Sequence, residues 1–143
     1  FYLTYGDGVS NINIKKLYKY HLKHKKICTL TAVRPPARFG ELKLKNNKVI
    51  DFNEKPLIKQ NVCIGVNCFN KKIINFIPKS QKFSFDDLLL DLIEKQKIID
   101  NYDFSGFWLD MGRPEDYDKI NNEFSRLTKK LKIDKLLKKY EKN

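Results

Sequence analysis

The stretch Phe1-Tyr2-Leu3-Thr4-Tyr5-Gly6-Asp7-Gly8 indicates the fold class most directly. It is an apolar, strand-like run that ends in an aspartate between two glycines, and glycine allows a backbone and a ligand to approach closely. A helical pattern follows over residues 12–25, and residues 27–33 form a continuous apolar run that is typical of a buried parallel strand. This order predicts an α/β protein whose ligands bind at the carboxyl ends of the strands.

Later segments continue the α/β pattern. Asn46-Asn47 divides an alternating stretch, which predicts a β-hairpin over residues 41–52, and residues 62–69 predict one further strand. A capping-box pattern at Ser84 predicts a helix start, and Pro114 occupies the first turn of a last helix that extends to about residue 127. We therefore predict one α/β domain with a mixed, mostly parallel sheet and helices on both faces.

A second glycine-bordered aspartate lies in Phe107-Trp108-Leu109-Asp110-Met111-Gly112, near the other end of the chain. Either aspartate alone would usually be a turn former or a helix cap. As a pair at strand ends, Asp7 and Asp110 could hold one hard divalent cation, with water and phosphate oxygens completing its coordination. The motif Glu54-Lys55-Pro56 lies between them in the chain. Three such motifs together favour a metal-dependent site.

The charge of the chain is strongly positive but widely distributed. The 143 residues include 29 Lys and Arg against 17 Asp and Glu, a net charge of +12. Nearly all of the basic residues are lysines, whereas proteins that read nucleic acids favour clustered arginines, so we expect no nucleic-acid partner. Lysines are densest in residues 128–143, which we predict to be an amphipathic helical tail after a domain of residues 1–127.

The sequence indicates neither a membrane span nor a disulfide. No apolar run approaches the ~18 residues that a span requires, so we expect no membrane partner. Cys28, Cys63 and Cys68 have no metal-ligand spacing, and the last two should point to opposite faces of one strand. Unpaired cysteines are typical of a reducing cytoplasm, where we place the protein. His21 and His24, on a lysine-rich helix, are predicted to lie on the surface.

Longer motifs in the chain resemble the sugar-1-phosphate nucleotidyltransferase family. Thr4-Tyr5-Gly6-Asp7-Gly8-Val9-Ser10 and the stretch Thr31-Ala32-Val33-Arg34-Pro35-Pro36-Ala37-Arg38-Phe39-Gly40-Glu41-Leu42 are similar to glucose-1-phosphate cytidylyltransferases. Phe52-Asn53-Glu54-Lys55-Pro56 is similar to the Glu-Lys-Pro element of the wider family. The segment from Trp108 to Tyr117 looks more like members that make GDP- or dTDP-sugars. The resemblance covers residues 1–127 and implies a Rossmann-like nucleotidyltransferase fold.

The resemblance also implies a reaction. An oxygen of a sugar 1-phosphate attacks the α-phosphorus of a nucleoside triphosphate, and pyrophosphate leaves, so positioning and charge neutralisation supply most of the rate. By resemblance, Asp7 and Asp110 hold the catalytic Mg²⁺, and Lys55 pairs with the sugar phosphate. Glu54 accepts hydrogen bonds from sugar hydroxyls. The residues that the resemblance places against the substrate are Gly40, Glu54, Lys55 and Gly65.

The chain departs from the family pattern in two places. The usual asparagine of the sugar-binding strand falls at Cys63, before Ile64-Gly65, so one sugar contact is replaced. The glycine-rich loop for the triphosphate and the segment that reads the base would both precede Phe1. We therefore expect this chain to be the C-terminal portion of a longer domain, incomplete at its N-terminus and inactive on its own.

The resemblance leaves the substrates and the class of protein partly open. The long match over residues 31–42 favours CTP and glucose 1-phosphate as partners. A non-catalytic nucleotidyltransferase-like module is one alternative. A metal-dependent glycosyltransferase is another, although it would favour paired aspartates where Gly8 follows Asp7. The oligomeric state is also open, a homo-oligomer included.

Overall fold

The computed structural model describes residues 1–79, 82–95, 99–131 and 133. The strands are β1 (Tyr2–Thr4), β2 (Gly8–Ser10), β3 (Cys28–Val33), β4 (Glu41–Lys45), β5 (Lys48–Asn53), β6 (Val62–Cys63), β7 (Val66–Phe69), β8 (Ile99–Asp103) and β9 (Trp108–Asp110). The α-helices are α1 (Ile14–His24), α2 (Phe85–Glu94), α3 (Pro114–Asn122) and α4 (Phe124–Leu131), and a 3₁₀-helix spans Lys71–Phe76.

The main sheet is mixed. Its strand order is β1-β7-β3, and both β6 and β8 also pair with β3. β8 runs parallel to β3, whereas β7 is antiparallel to β1 and β3, and β6 is antiparallel to β3. Strands β1, β3 and β8 therefore share one direction, and the 62–69 segment runs the other way between them. The predicted mixed α/β sheet is confirmed. Three of its strands run in the same direction, but β3 and β8 are its parallel neighbours and the other pairs are antiparallel.

Helices cover both faces of this sheet, as predicted. Cys68 and Phe69 are consecutive on β7, so their side chains point to opposite faces. Cys68 packs in one buried cluster with Leu17 of α1. Phe69 packs in a second cluster with Leu88 and Leu92 of α2.

Local sequence chemistry sets the helix starts and the hairpin turn. Ser84 Oγ accepts the Asp87 N–H at 3.1 Å while Asp87 Oδ2 accepts the Ser84 N–H at 2.9 Å, which confirms the capping box. Pro114 opens α3 as predicted, but the predicted single helix breaks at Glu123 into α3 and α4. Asn46 and Asn47 have φ values of 49° and 59°, which suit the tight turn between β4 and β5.

The prediction that His21 and His24 lie on the surface is wrong. His21 is buried, and its Nδ1 lies 2.8 Å from Thr29 Oγ1 on β3. His24 Nε2 lies 2.8 Å from the same oxygen. The reason is that α1 turns Leu17 and His21, one helical turn apart, toward the sheet, while its lysines occupy the other side.

Part of the predicted lysine-rich tail lies outside the described residues. α4 extends to Leu131, whereas residues 132 and 134–143 are not described. The helical tail of residues 128–143 therefore stays a prediction beyond that point. Within the described ranges, no helix combines the length and the apolar character that crossing a membrane requires.

Candidate functional site

Asp7 and Asp110 are brought together by the antiparallel pair of β2 and β9. Gly8 lies opposite Asp110 in this ladder, and the Met111 N–H donates to the Asp7 carbonyl at 2.8 Å. A Cβ placed on Gly112 would lie 3.1 Å from Asp110 Oδ1 and 3.5 Å from Asp7 Oδ2. Both carboxylates therefore border one small space and are less than about 7 Å apart. Because Gly112 has no side chain, that space stays open.

The turn from β9 into α3 fixes the Asp110 carboxylate. Asp110 Oδ1 accepts the Gly112 N–H at 2.9 Å, and the Arg113 N–H donates to the Asp110 carbonyl at 3.0 Å. Asp116, in the first turn of α3, accepts the Asp110 N–H on its Oδ2 at 3.0 Å. These bonds hold the Asp110 carboxylate beside Gly112.

The donor set suits a hard cation only in part. Carboxylate oxygens are the ligands that Mg²⁺ takes from proteins, and it keeps several waters or substrate phosphate oxygens as well. Among the described residues, no group of three or more His, Cys, Asp or Glu could enclose a metal ion. Asp7 and Asp110 therefore fit Mg²⁺ as a two-carboxylate site that a phosphate substrate completes.

Gly40 and Glu54 are neighbours on the β4–β5 side of the molecule. A Cβ on Gly40 would lie 2.6 Å from the Phe52 ring and 3.0 Å from Glu54 Oε2. A side chain at position 40 would have to displace the ends of the Phe52 and Glu54 side chains. The structure thus brings together the two residues that the resemblance places against the sugar, although it does not test their roles.

Lys55 has an unusual backbone. Its φ is 46°, in the left-handed region, although it is not glycine and Pro56 follows it. Such a conformation costs about 1–3 kcal/mol and persists where the surroundings impose it. Lys55 lines a cleft of about 510 Å³ together with Leu109 and Asp116, the residues next to Asp110 in sequence and in hydrogen bonding. Asp7 and Asp110 do not line this cleft.

Gly65 lies beneath the segment that carries Asp7. Its φ is +73°, and a Cβ there would collide with the Tyr5 ring. The Tyr5 N–H donates to the Gly65 carbonyl at 2.9 Å. Gly65 therefore supports the segment that carries Asp7, whereas Gly40 and Glu54 lie beside the β4–β5 hairpin and Lys55 lines the cleft described above.

Two parts of the site were missed by sequence reasoning. Asp116 could have been suspected, since a carboxylate in the first turn of a helix commonly accepts backbone N–H groups. A second cavity of about 530 Å³ had no sequence signal. It lies at the carboxyl ends of β3 and β8, with Arg34, Lys59 and Asn61 among its lining residues.

With this geometry in place, comparison with known proteins assigns the family. The nucleotidyl transferase family matches residues 1–126. The chain belongs to the nucleotidyl transferase family.

Two relatives show the range of substrates within the family. The chain is 33% identical over 114 residues to the glucose-1-phosphate cytidylyltransferase of Salmonella typhimurium, which covers 78% of the chain and 43% of that enzyme. It is 30% identical over 122 residues to the D-glycero-alpha-D-manno-heptose 1-phosphate guanylyltransferase of Aneurinibacillus thermoaerophilus, covering 82% of the chain and 53% of that enzyme. The chain thus spans about half or less of the length of these relatives.

A solved structure confirms the Rossmann-like nucleotidyltransferase fold. The crystal structure of HddC from Yersinia pseudotuberculosis is 26% identical and has a TM-score of 0.62. The match covers 87% of this chain and 55% of that chain. The predicted family and fold class are therefore confirmed, and the two relatives named above are enzymes.

Proposed function

We propose that the protein containing this chain is a sugar-1-phosphate nucleotidyltransferase, and that this chain supplies the metal and sugar part of its site. The observation that carries the proposal is the convergence of the Asp7 and Asp110 carboxylates on the space beside Gly112. Family membership supports it, because the relatives named above transfer nucleotidyl groups to sugar phosphates.

The reaction needs positioning more than proton transfer. A phosphate oxygen of the sugar 1-phosphate forms a bond to the α-phosphorus of the nucleoside triphosphate, the bond from that phosphorus to the bridging oxygen breaks, and pyrophosphate leaves. The attacking oxygen is already anionic, so no general base is required. Mg²⁺, held by Asp7 and Asp110 when bound, would offset the repulsion between the two phosphate groups.

Each remaining residue has a role that its chemistry suits. Lys55 supplies a positive point charge to the sugar phosphate. Its left-handed backbone conformation sets the direction in which the lysine side chain projects. The Glu54 carboxylate accepts hydrogen bonds from sugar hydroxyls. Gly40 and Gly65 act indirectly, because Gly40 leaves room for the Glu54 carboxylate and Gly65 for the Tyr5 ring.

We propose CTP and glucose 1-phosphate as the first substrates to test. The long match over residues 31–42 supports this choice, and so does the similarity to the Salmonella enzyme. The similarity to a guanylyltransferase makes GTP with a mannose-type sugar phosphate the main competitor. We also propose a role in the synthesis of nucleotide sugars for polysaccharides, and a cytoplasmic location, in keeping with the three free cysteines.

The test is a matrix of initial rates on the purified protein that contains this chain. Each of four nucleoside triphosphates is paired with each sugar 1-phosphate, and both pyrophosphate and nucleotide sugar are measured. We expect the highest rate with CTP and glucose 1-phosphate, complete loss on adding EDTA, and recovery with excess Mg²⁺. A preference for GTP or dTTP would contradict the choice of CTP, but it would still support nucleotidyl transfer to a sugar phosphate. No product in any pair would favour a non-catalytic module, and sugar transfer from a nucleotide sugar would favour a glycosyltransferase.

A further inference from the structure

We infer that Asn67 is a positioning residue that sets the place of the Asp7 loop, defined as residues 5–8. It acts through the 63–66 bend, which we define as the residues from the end of β6 to the start of β7. The inference rests on the proposed function for the catalytic importance of Asp7. Neither the sequence motifs nor the family match assigns Asn67 a role.

The 63–66 bend interrupts the regular pairing of β3. Thr29 pairs with Cys68, and the next paired residue of β3, Ala32, is already opposite Cys63. Two residues of β3 therefore face four residues of the opposing segment, which is a bulge. The Ile64 N–H still donates to the Thr31 carbonyl at 3.0 Å.

The Asn67 side chain supplies an acceptor for a β3 backbone N–H within this bulge. Asn67 is completely buried, and its Oδ1 accepts the Thr31 N–H at 3.2 Å. The same oxygen accepts the Cys63 S–H at 3.7 Å. One amide oxygen therefore ties β3 to both ends of the bend. The Asn67 Nδ2 has no hydrogen-bond partner in the described part of the chain, so packing alone would favour an apolar residue here.

The bend in turn supports the Asp7 loop on both sides of the aspartate. Before it, the Tyr5 N–H donates to the Gly65 carbonyl at 2.9 Å, and the Tyr5 ring covers the Gly65 Cα. After it, Gly8 approaches the Ile64 carbonyl so closely that a Cβ would lie 3.2 Å away. A change in the bend therefore shifts Asp7 relative to Asp110. The Asp7 loop contacts the end of the Asp110 strand through the bond from the Met111 N–H to the Asp7 carbonyl.

The test compares Asn67→Val with Thr31→Val in the protein that contains this chain. Both residues are fully buried, but Thr31 Oγ1 has no hydrogen-bond partner among the described residues, so its loss is the matched control. Amide hydrogen exchange reports on the loop without any turnover. We expect Asn67→Val to speed exchange at Tyr5 and Met111 at least tenfold over the control. The Asn70 amide, bonded to the Ile27 carbonyl at the far end of the sheet, should not change.

A kinetic measurement separates positioning from a general loss of stability. We expect Asn67→Val to raise the Mg²⁺ concentration for half-maximal rate at least fivefold, with the sugar-phosphate KM changed less than twofold. An activity loss that follows only the folded fraction, with unchanged Mg²⁺ dependence, would overturn the inference. So would Tyr5 and Met111 amides as protected as in Thr31→Val. If the wild type has no activity, the proposed function fails, yet the exchange data still decide whether Asn67 sets the loop. If Asn67→Val does not fold, the smaller Asn67→Ser is measured on the same amides.

Discussion

At the residue scale, the site depends on the absence of a side chain at position 112. Gly112 lies between the Asp7 and Asp110 carboxylates, and a methyl group there would come within 3.1 Å of one oxygen and 3.5 Å of the other. We predict that Gly112→Ala lowers kcat at least tenfold, about 1.4 kcal/mol of transition-state stabilisation. Pyrophosphate release measures it.

Gly6→Ala is the control for this prediction. Gly6 also borders Asp7, but a Cβ there would meet nothing within 4 Å. We expect this variant to retain most of the wild-type rate. Equal rates for the two alanine variants would show that the space beside Gly112 is not used.

A second prediction at this scale concerns His21. Burial first, and the neighbouring His24 second, lower the pKa of His21 below its ordinary value near 6.5. The Lys26 N–H donates to His24 Nδ1, so His24 Nε2 carries the proton toward Thr29 Oγ1, and the Thr29 hydroxyl donates to His21 Nδ1. The folded state therefore favours the neutral form of His21.

The stability of the fold should follow this titration. Well above pH 6.5 His21 is neutral in both states and adds no pH dependence. As the pH falls below 6.5, His21 is protonated in the unfolded chain but stays neutral in the folded chain. The free energy of unfolding therefore falls by up to about 1.4 kcal/mol per pH unit. Urea unfolding between pH 5 and 7.5 measures the slope. His21→Asn, which keeps an acceptor for Thr29, should flatten it, and an unchanged slope would count against this assignment.

At the element scale, the link between β9 and α3 holds Asp110. Asp116 Oδ2 accepts the Asp110 N–H at 3.0 Å and lies at the helix start. We predict that Asp116→Ala lowers the free energy of unfolding by about 1 kcal/mol, as loss of a helix-start acceptor does. It should also lower activity, because the turn at Asp110 loosens.

Glu115→Ala provides the matched comparison. Its ion pairs with Arg38 and Arg113 are exposed and span 3.5 Å and 3.9 Å, so they contribute little. We expect a change in unfolding free energy below about 0.5 kcal/mol. Urea unfolding of both variants measures the difference, and equal losses would remove the special role of Asp116.

The elements also show what the sequence can predict. The capping box at Ser84, the Asn46-Asn47 turn and the strand that precedes Asp7 depend on local chemistry, so the sequence predicted them. Residues 62–69 were predicted as one strand, whereas the structure has two, β6 and β7. The bond from the Thr31 N–H to Asn67 links different strands, so no local pattern indicates it. Burial of His21 was missed for a similar reason, since its partner Thr29 lies on β3.

The site was predictable to the same extent. Asp7 and Asp110 were paired by their glycine-bordered motifs, and the structure places them beside one another. The pairing of Gly40 with Glu54 required only the hairpin. By contrast, the bond from Asp110 to Asp116 and the support of the Asp7 loop by Gly65 arise from tertiary contacts that no local pattern encodes.

At the scale of the whole molecule, the chain spans only part of the length of its relatives. It spans 43% of the Salmonella cytidylyltransferase and 53% of the Aneurinibacillus guanylyltransferase. We predict that the isolated 143 residues form no nucleotide sugar, because the pyrophosphate leaving group needs donors beyond Lys55 and the metal. Incubation with CTP, glucose 1-phosphate and Mg²⁺ tests this. Product from the isolated chain would show that these residues suffice.

The central claim is that Asp7 and Asp110 act as one unit, and a double-mutant cycle on the protein that contains this chain tests it most directly. Asp7→Asn, Asp110→Asn, the double variant and the control Asp118→Asn, an exposed residue of α3, are compared by kcat/KM. We predict that each single change lowers kcat/KM at least a hundredfold, about 2.7 kcal/mol. The kcat/KM of the double variant should lie within about threefold of that of the less active single variant, because the loss of either aspartate abolishes the shared site. Asp118→Asn should retain full activity. Additive losses, or single variants as active as Asp118→Asn, would contradict a cation shared by the two aspartates.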